Sequence, residues 1–243
     1  MPHLANQPLF PDSLQLGQLA PDFVAHSTLG VVSRAGFAGR WLVFFSHPAD
    51  FTPVCATEFV ALAKRQADFR SLNCALLGLS SDSVPTHAAW CQQLRKDCGV
   101  AIDFPIVADE RLDVARLYGM VSAPAARRVD VRALFIIDPR GVLRAMFHYP
   151  SETGRSVAEV LRTVQALQEA DRKSSATPEG WQPGDPMLAV PDVDHEAPPA
   201  DAGLGCVEWY EYPESPPSDP EERATPSPRL SPTAAQCAAT AGR

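Results

Sequence analysis

The chain has 243 residues, of which 45% are hydrophobic and 21% are charged, a composition typical of a soluble globular protein with one substantial core. No apolar run approaches the ~18–20 residues that span a membrane, and no basic segment followed by an apolar stretch opens the chain. We therefore expect a cytoplasmic protein without a membrane partner. The last 70 residues hold 12 acidic and 3 basic side chains, so the body is nearly neutral, which argues against binding to nucleic acid.

Strand and helix signals alternate along the chain from residue 40. An apolar, aromatic run at 40–47 predicts a buried strand, and apolar spacings near 3.6 predict a helix at 53–70 with Thr52 at its N-cap and Pro53 at its first position. Further strands are predicted at 74–79, 106–108, 132–138 and 142–149, and further helices at 85–97, 110–118 and 157–173. This order predicts an α/β fold with a mixed sheet flanked by helices, whose reactive loops gather at the carboxyl ends of strands.

The six cysteines contain no CxxC pair, so we predict neither a zinc knuckle nor a thioredoxin-type dithiol. In a reducing cytosol we expect most of them to be free thiols. Cys55 differs from the others because it lies where the strand at 40–47 gives way to the predicted helix.

A thiol with an ordinary pKa of ~8.5 is only a few per cent ionised at neutral pH, so a nucleophilic cysteine needs neighbours that stabilise its thiolate. The first turn of a helix supplies unpaired N–H groups and the positive end of the dipole. The Thr52 hydroxyl is expected to donate a further hydrogen bond, but a cation must come from elsewhere in the chain. Local chemistry alone fits a peroxidase, a disulfide reductase, a thiol hydrolase, a redox sensor or a small buried residue.

The segment around Cys55 resembles the peroxidatic motif of the peroxiredoxins. Pro48, Thr52 and Cys55 match the motif's proline, threonine and cysteine at the spacing PxxxTxxC, and Glu58 extends the match. The segment RALFIIDPRG looks like the family strand that carries the active-site arginine, which makes Arg132 the missing cation.

Three further segments are similar to the one-cysteine, vertebrate-type-six-like branch of the alkyl hydroperoxide reductase/thiol-specific antioxidant family. They are SHPADFTPVC, with His47 before the proline, YPSETGR, which ends at Arg155, and TPEGWQPGD. The resemblance implies a thioredoxin-like peroxidase domain at 14–173 and a smaller C-terminal peroxiredoxin extension at 174–212. The Pro/Ser/Ala-rich acidic tail at 213–243 is expected to be disordered.

The resemblance also implies a mechanism. The Cys55 thiolate attacks a peroxide oxygen and becomes a sulfenic acid, while water or an alcohol leaves. Arg132, Thr52 and the Cys55 N–H group would stabilise the thiolate and the developing charge, and Pro48 would shield the sulfur from water. No metal, haem or flavin cofactor is implied.

Three supporting roles are expected around this centre. His47 would hydrogen-bond within the pocket, and Glu58 would orient arginine side chains. Arg155 would be a second cation near the pocket or a dimer contact.

The sequence leaves the reduction of the sulfenic acid open. The resolving cysteine that precedes a Pro-x-Gly-Trp segment in two-cysteine relatives is replaced by Thr177, whereas Cys206 lies in an extension pattern that makes it a candidate resolving thiol. Cys237 is a weaker candidate. If neither acts, an external thiol reductant is required: a thioredoxin-like protein, glutaredoxin or glutathione. The remaining cysteines are interpreted as structural: Cys74, Cys91 and Cys98.

The sequence therefore predicts a thiol-dependent peroxidase of antioxidant defence that reduces hydrogen peroxide and small alkyl hydroperoxides. We expect a homodimer, with higher rings as a further option. The alternative is a peroxide sensor or redox-regulated binding protein without sustained turnover, acting through the acidic tail. A thiol–disulfide oxidoreductase is disfavoured by the missing CxxC.

Overall fold

The computed structural model describes residues 14–122, 127–129 and 131–188. Of these, residues 14–157 belong to one compact unit and 158–188 to a second. The strands are β1 (Val24–Ser27), β2 (Gly30–Ser33), β3 (Trp41–Ser46), β4 (Cys74–Ser80), β5 (Ile106–Ala108), β6 (Val131–Ile137) and β7 (Leu143–Pro150). The helices are α1 (Pro53–Ser71), α2 (Val84–Cys98), α3 (Asp113–Leu117) and α4 (Val157–Lys173), with a 3-10 turn at Ala35–Phe37.

The seven strands form one mixed sheet in the order β2-β1-β5-β4-β3-β6-β7. β3 pairs in parallel with β4 and antiparallel with β6. All six residues of β3 are buried, as expected for a central strand covered on both faces. The predicted mixed α/β fold and the order of elements from residue 40 onward are confirmed.

The β1–β2 hairpin was not predicted from the sequence. Its strands have only four residues each, and most of their side chains are exposed or half-buried. Because one face of this hairpin is not clearly apolar, the period-two pattern that identifies a half-buried strand is absent.

Adjacent residues of β3 point to opposite faces of the sheet and build two aromatic clusters. On one face the Phe44 ring lies 4.9 Å from the Tyr118 ring and 6.4 Å from the Phe135 ring, between centroids. On the other face Phe45 lies 5.6 Å from Phe59 of α1. This second cluster packs α1 against the sheet. The helix begins at Pro53, a few residues beyond the carboxyl end of β3 at Ser46.

The second unit contains most of α4 and the segment that follows it. The Arg162 Nη1 donates a 3.0 Å hydrogen bond to the Trp181 carbonyl, and Ala176 pairs with Leu188 in an antiparallel bridge. Among the described helices of either unit, none has the length and apolar character needed to cross a membrane.

Candidate active site

Cys55 is the third residue of α1, and its side chain is fully buried. The first intrahelical hydrogen bond runs from the Ala56 N–H to the Thr52 carbonyl at 2.9 Å, and Pro53 has no N–H. Within the described residues, the Val54 and Cys55 N–H groups have no acceptor. The positive end of the helix dipole therefore lies at the turn that carries the sulfur.

Arg132 reaches this sulfur from β6. Its Nη1 lies 3.3 Å from the Cys55 Sγ and 3.0 Å from Glu58 Oε2, while its Nε donates to the Ser151 carbonyl at 2.8 Å. The side chain is buried, with 2% of its surface exposed. The planar guanidinium therefore holds three partners at once, which an ammonium group cannot do with the same geometry.

Ser46, the last residue of β3, fixes the strand that carries this arginine. Its hydroxyl donates a 2.6 Å hydrogen bond to the Val131 carbonyl and accepts one of 3.0 Å from the Ala133 N–H. These two bonds bracket Arg132 along the backbone. Sequence interpretation missed Ser46, although a polar residue that ends an otherwise apolar strand was the available signal.

Glu58 joins Arg132 to a second buried cation, Arg155. Arg155 donates to the Glu58 carboxylate from its Nε at 2.8 Å, its Nη2 at 2.9 Å and its backbone N–H at 2.7 Å. Burial alone raises the pKa of Glu58, but the hydrogen bonds and charge of Arg155, with the charge of Arg132, hold it below the ordinary value of 4.5. Two cations and one carboxylate leave a single net positive charge beside Cys55, which complements a thiolate.

Thr52 occupies the N-cap of α1, but its side chain makes no capping bond. Its hydroxyl donates to the Ala49 carbonyl at 2.9 Å. The hydroxyl has one proton, so the expected donation to the Cys55 thiolate is replaced by this bond, and the oxygen keeps its acceptor lone pairs. Pro48 is half-buried in the same loop.

His47 is fully buried and forms part of a cluster that sequence interpretation did not identify. Its Nε2 lies 2.8 Å from Asp50 Oδ1, and the other oxygen of Asp50 lies 2.7 Å from His87 Nδ1. The His47 ring stacks on Trp90 and meets Phe59 edge-on. The predicted hydrogen bond of His47 is thus made to Asp50, while its Nδ1 has no partner in the part of the chain that the structure describes.

The same three side chains are also a possible set of metal ligands by composition. Their ligand atoms all lie within 4.8 Å of one another. In this structure, however, each oxygen of the Asp50 carboxylate is within hydrogen-bond distance of one imidazole. These bonds account for the cluster without an ion.

The other cysteines differ in their state. Cys74 and Cys91 are free thiols whose pKa values burial raises to about 12 and about 11. Cys98 is disulfide-bonded and is therefore an exception to the expected free thiols. Cys206 and Cys237, the candidate resolving thiols, lie outside the described residues, as does the acidic tail.

A cysteine in the first turn of a helix, with an arginine against its sulfur in a mixed α/β fold, defines the class of proteins with a nucleophilic cysteine. Comparison with known proteins gives the family. Residues 16–146 match the AhpC/TSA family model, and residues 166–197 match the C-terminal domain of 1-Cys peroxiredoxin. The chain belongs to the peroxiredoxins, has a thioredoxin-like fold and is a thiol-dependent peroxidase.

Similar proteins cover most of the chain. A peroxiredoxin of Aquifex aeolicus is 44% identical over 81% of this chain and 94% of its own length. The structure of a yeast mitochondrial 1-Cys peroxiredoxin is 40% identical, with a TM-score of 0.68 over 72% of this chain and 86% of that one. The peroxiredoxin 6 of Arenicola marina, solved as a cysteine-to-serine mutant, is 36% identical with a TM-score of 0.70, over 74% of this chain and 86% of that one.

Proposed function

We propose that Cys55 is the peroxidatic nucleophile of this enzyme, acting on hydrogen peroxide and small alkyl hydroperoxides. The observation that carries the proposal is the 3.3 Å contact between Arg132 Nη1 and the Cys55 sulfur. The thiolate attacks one peroxide oxygen, an S–O bond forms and the O–O bond breaks. The departing oxygen takes the electron pair of the O–O bond and a proton from solvent and leaves as water or an alcohol, while the transferred OH group makes Cys55 a sulfenic acid.

Each neighbouring group has a role in this proposal. Arg132 and the Cys55 N–H stabilise the thiolate and the charge on the departing oxygen. The Thr52 oxygen accepts a hydrogen bond from the peroxide O–H, because its own proton is given to Ala49. Pro48 shields the sulfur.

Glu58 and Arg155 act on this centre through Arg132. The Glu58 carboxylate receives hydrogen bonds from both arginines, so it fixes the direction in which Arg132 points. Arg155 in turn fixes Glu58 and ties it to the Ala133 carbonyl next to Arg132, through a 2.6 Å hydrogen bond.

We further propose that an external thiol completes the cycle in the cytoplasm. The thiol of the yeast mitochondrial relative is resolved through glutathione/thioredoxin systems, and 40% identity supports a similar partner here. The reductant classes are therefore glutathione with glutaredoxin, or a thioredoxin-like protein. Cys206 remains the competing intramolecular candidate.

We also propose a homodimer formed through β7, with rings of dimers as a further assembly. β7 lies at one end of the sheet order, so one edge of this eight-residue strand has no neighbouring strand in the described sheet. An unpaired edge of this kind favours pairing with another chain. Size-exclusion chromatography with light scattering tests the assembly, and a stable monomer contradicts it.

The peroxidase cycle is tested by mass spectrometry of the full-length protein after one equivalent of hydrogen peroxide, and by the consumption of excess hydrogen peroxide in the presence of a thiol reductant. We expect a sulfenic acid at Cys55 that glutathione with glutaredoxin, or thioredoxin, reduces over many turnovers. A Cys55–Cys206 disulfide would instead make Cys206 the resolving thiol, and the external reductant would then act on that disulfide. A single oxidation per chain without sustained peroxide consumption overturns the proposed enzyme activity.

A further inference from the structure

The His47–Asp50–His87 cluster, defined by these three side chains, is buried and ionisable. None of its members has a described contact with the Cys55 sulfur. The histidine side chains are 0% exposed and the Asp50 side chain is 1% exposed. A buried carboxylate is destabilising unless charged or hydrogen-bonded partners compensate it. Here both of its oxygens are compensated, one by each imidazole.

The partners of the imidazoles determine where their protons lie. His87 Nε2 lies 3.2 Å from the Val107 carbonyl, which can only accept, and His87 Nδ1 faces an Asp50 oxygen. With Asp50 ionised, both nitrogens of His87 face acceptor oxygens, so the ring is held from both sides. Although burial opposes it, hydrogen bonds from the two histidines keep the pKa of Asp50 below its usual value.

His47 differs from His87 because only one of its two ring nitrogens has a described partner. Burial lowers its pKa, so the ring is neutral at pH 7, and the proton on Nε2 is donated to Asp50 Oδ1. Its Nδ1 keeps a lone pair without a partner in the described residues. Asp50 therefore fixes both the orientation and the tautomer of His47.

The backbone beside Asp50 adopts an uncommon conformation. Phe51 has a φ of 57°, in the left-handed region that residues other than glycine seldom occupy and that surrounding contacts must support. Asp50 supplies such contacts on two sides, since its N–H also donates to Asp82 Oδ2 at 2.9 Å. The loop between β3 and α1 is thus tied, immediately before Thr52, to the β4–α2 connection through Asp82 and to α2 through His87.

We propose that Asp50 and His87 are positioning residues for the peroxidase reaction. Together they hold the loop at 47–52 so that Pro48 and Thr52 meet peroxide at Cys55. The inference rests on the proposed role of Cys55 and adds two residues that touch neither sulfur nor peroxide. It follows from three features. The Asp50 carboxylate is shared by two imidazoles, the next residue, Phe51, has a left-handed backbone conformation, and the chain continues directly from there into the N-cap of α1 at Thr52.

The test compares Asp50→Asn with Asp50→Ala in the full chain. The asparagine oxygen accepts from His47 Nε2, and its NH₂ donates to His87 Nδ1, while His87 Nε2 keeps its bond to the Val107 carbonyl. We expect the rate of Cys55 oxidation by hydrogen peroxide to stay within about threefold of wild type for Asp50→Asn. For Asp50→Ala it should fall by about 10- to 100-fold, the scale expected for misplaced reacting groups.

Alkylation of Cys55 by iodoacetamide, followed at that peptide by mass spectrometry, separates positioning from general loosening. A merely structural defect exposes the buried thiol and speeds alkylation. Misplacement of the loop lowers the peroxide rate without that increase. Asp109→Ala is the matched control, because Asp109 is another buried carboxylate, accepts a 2.7 Å bond from the Ala115 N–H and has no described contact with the Cys55 sulfur or with Asp50. We expect it to lose stability but keep the wild-type peroxide rate.

The outcomes are distinct. A wild-type Cys55 that peroxide does not oxidise overturns the proposed function and this inference together. A reactive wild type with an equally reactive, folded Asp50→Ala overturns the positioning role alone, as does an equal loss in Asp109→Ala. If Asp50→Ala does not fold, His87→Gln is used. We expect its peroxide rate to fall about tenfold, and a wild-type rate overturns the proposal.

Discussion

Two cysteines of this protein are almost equally buried but have opposite surroundings. Cys55 is 0% exposed and Cys74 is 3% exposed. The polar partners described for the Cys74 sulfur are backbone groups, including the Ala75 carbonyl at 3.7 Å, and burial raises the pKa of this thiol to about 12. Cys55 has Arg132 Nη1 at 3.3 Å and the N-terminal turn of α1. Burial by itself makes a thiol inert, and a nucleophile additionally needs a buried positive charge.

Burying that positive charge is unfavourable unless partners compensate it, which explains why several polar groups surround Arg132 beside Cys55. Arg132 and Arg155 share Glu58, and each gives a further hydrogen bond to a backbone carbonyl, Arg132 to Ser151 and Arg155 to Ala133. A charged partner together with additional hydrogen bonds is the condition under which buried ions are tolerated. Cys74 lies in a strand whose sequence supplies none of these partners.

The largest expected effect separates the two sulfurs directly. Cys55→Ser should reduce peroxide consumption by roughly a thousandfold or more, because a serine hydroxyl is not ionised in this setting and is a weak nucleophile. Cys74→Ala should keep the rate within about twofold, since an un-ionised thiol makes no contribution to the chemistry. The measurement is steady-state peroxide consumption with a thiol reductant. A comparable loss in a folded Cys74→Ala protein would break the comparison.

The sequence was sufficient for the elements around Cys55 but not for the contacts between them. The strand at 40–47 and the helix at 53–70 were readable because apolar periodicity is local. Arg132 is 77 residues from Cys55, and its approach depends on the pairing of β3 with β6, so only the family resemblance indicated it. The hairpin β1–β2 was missed because its strands are short and poorly buried.

Asp50 and His87 were missed for a different reason. Asp50 lies within the motif itself, between Pro48 and Thr52. An aspartate in a loop is usually solvated, and no neighbouring residue in the sequence indicates that its side chain is buried. His87 lies 37 residues away on α2 and looks like an ordinary helical residue. Burial of polar residues depends on the tertiary fold, which the local pattern does not contain.

The second effect sharpens the comparison by removing the guanidinium group of Arg132 while keeping a positive charge. Arg132→Lys should lower the rate of Cys55 oxidation by about 100-fold, the scale for losing one preorganised charge-stabilising donor. Lysine cannot reach the sulfur, Glu58 and the Ser151 carbonyl together. Stopped-flow measurement of peroxide oxidation at pH 7 gives the rate.

Arg155→Lys is the matched variant, because Arg155 is buried in the same cluster and no contact with the sulfur is described for it. We expect a loss of no more than about tenfold, transmitted through Glu58. Equal losses in the two variants would mean that integrity of the cluster, and not the contact with Cys55, sets the rate.

The smallest effect concerns the carboxylate of Glu58 and is measured as a change in the free energy of unfolding. Glu58→Gln should lower the free energy of unfolding at pH 7 by about 1–3 kcal/mol, because buried arginine donors lose a charged acceptor. The folded-state pKa of Glu58 lies below the ordinary 4.5, so its contribution is fully present above that pH and is lost as the pH falls further. The difference between wild type and Glu58→Gln should therefore shrink below about pH 4.5 in urea titrations.

The control is Glu159→Gln, which removes a glutamate whose side chain is 43% exposed and paired with Arg162. It should lower the free energy of unfolding by at most about 1 kcal/mol. A difference for Glu58→Gln that stays constant from pH 7 to pH 3 would show that the charge of Glu58 does not stabilise the arginines beside Cys55.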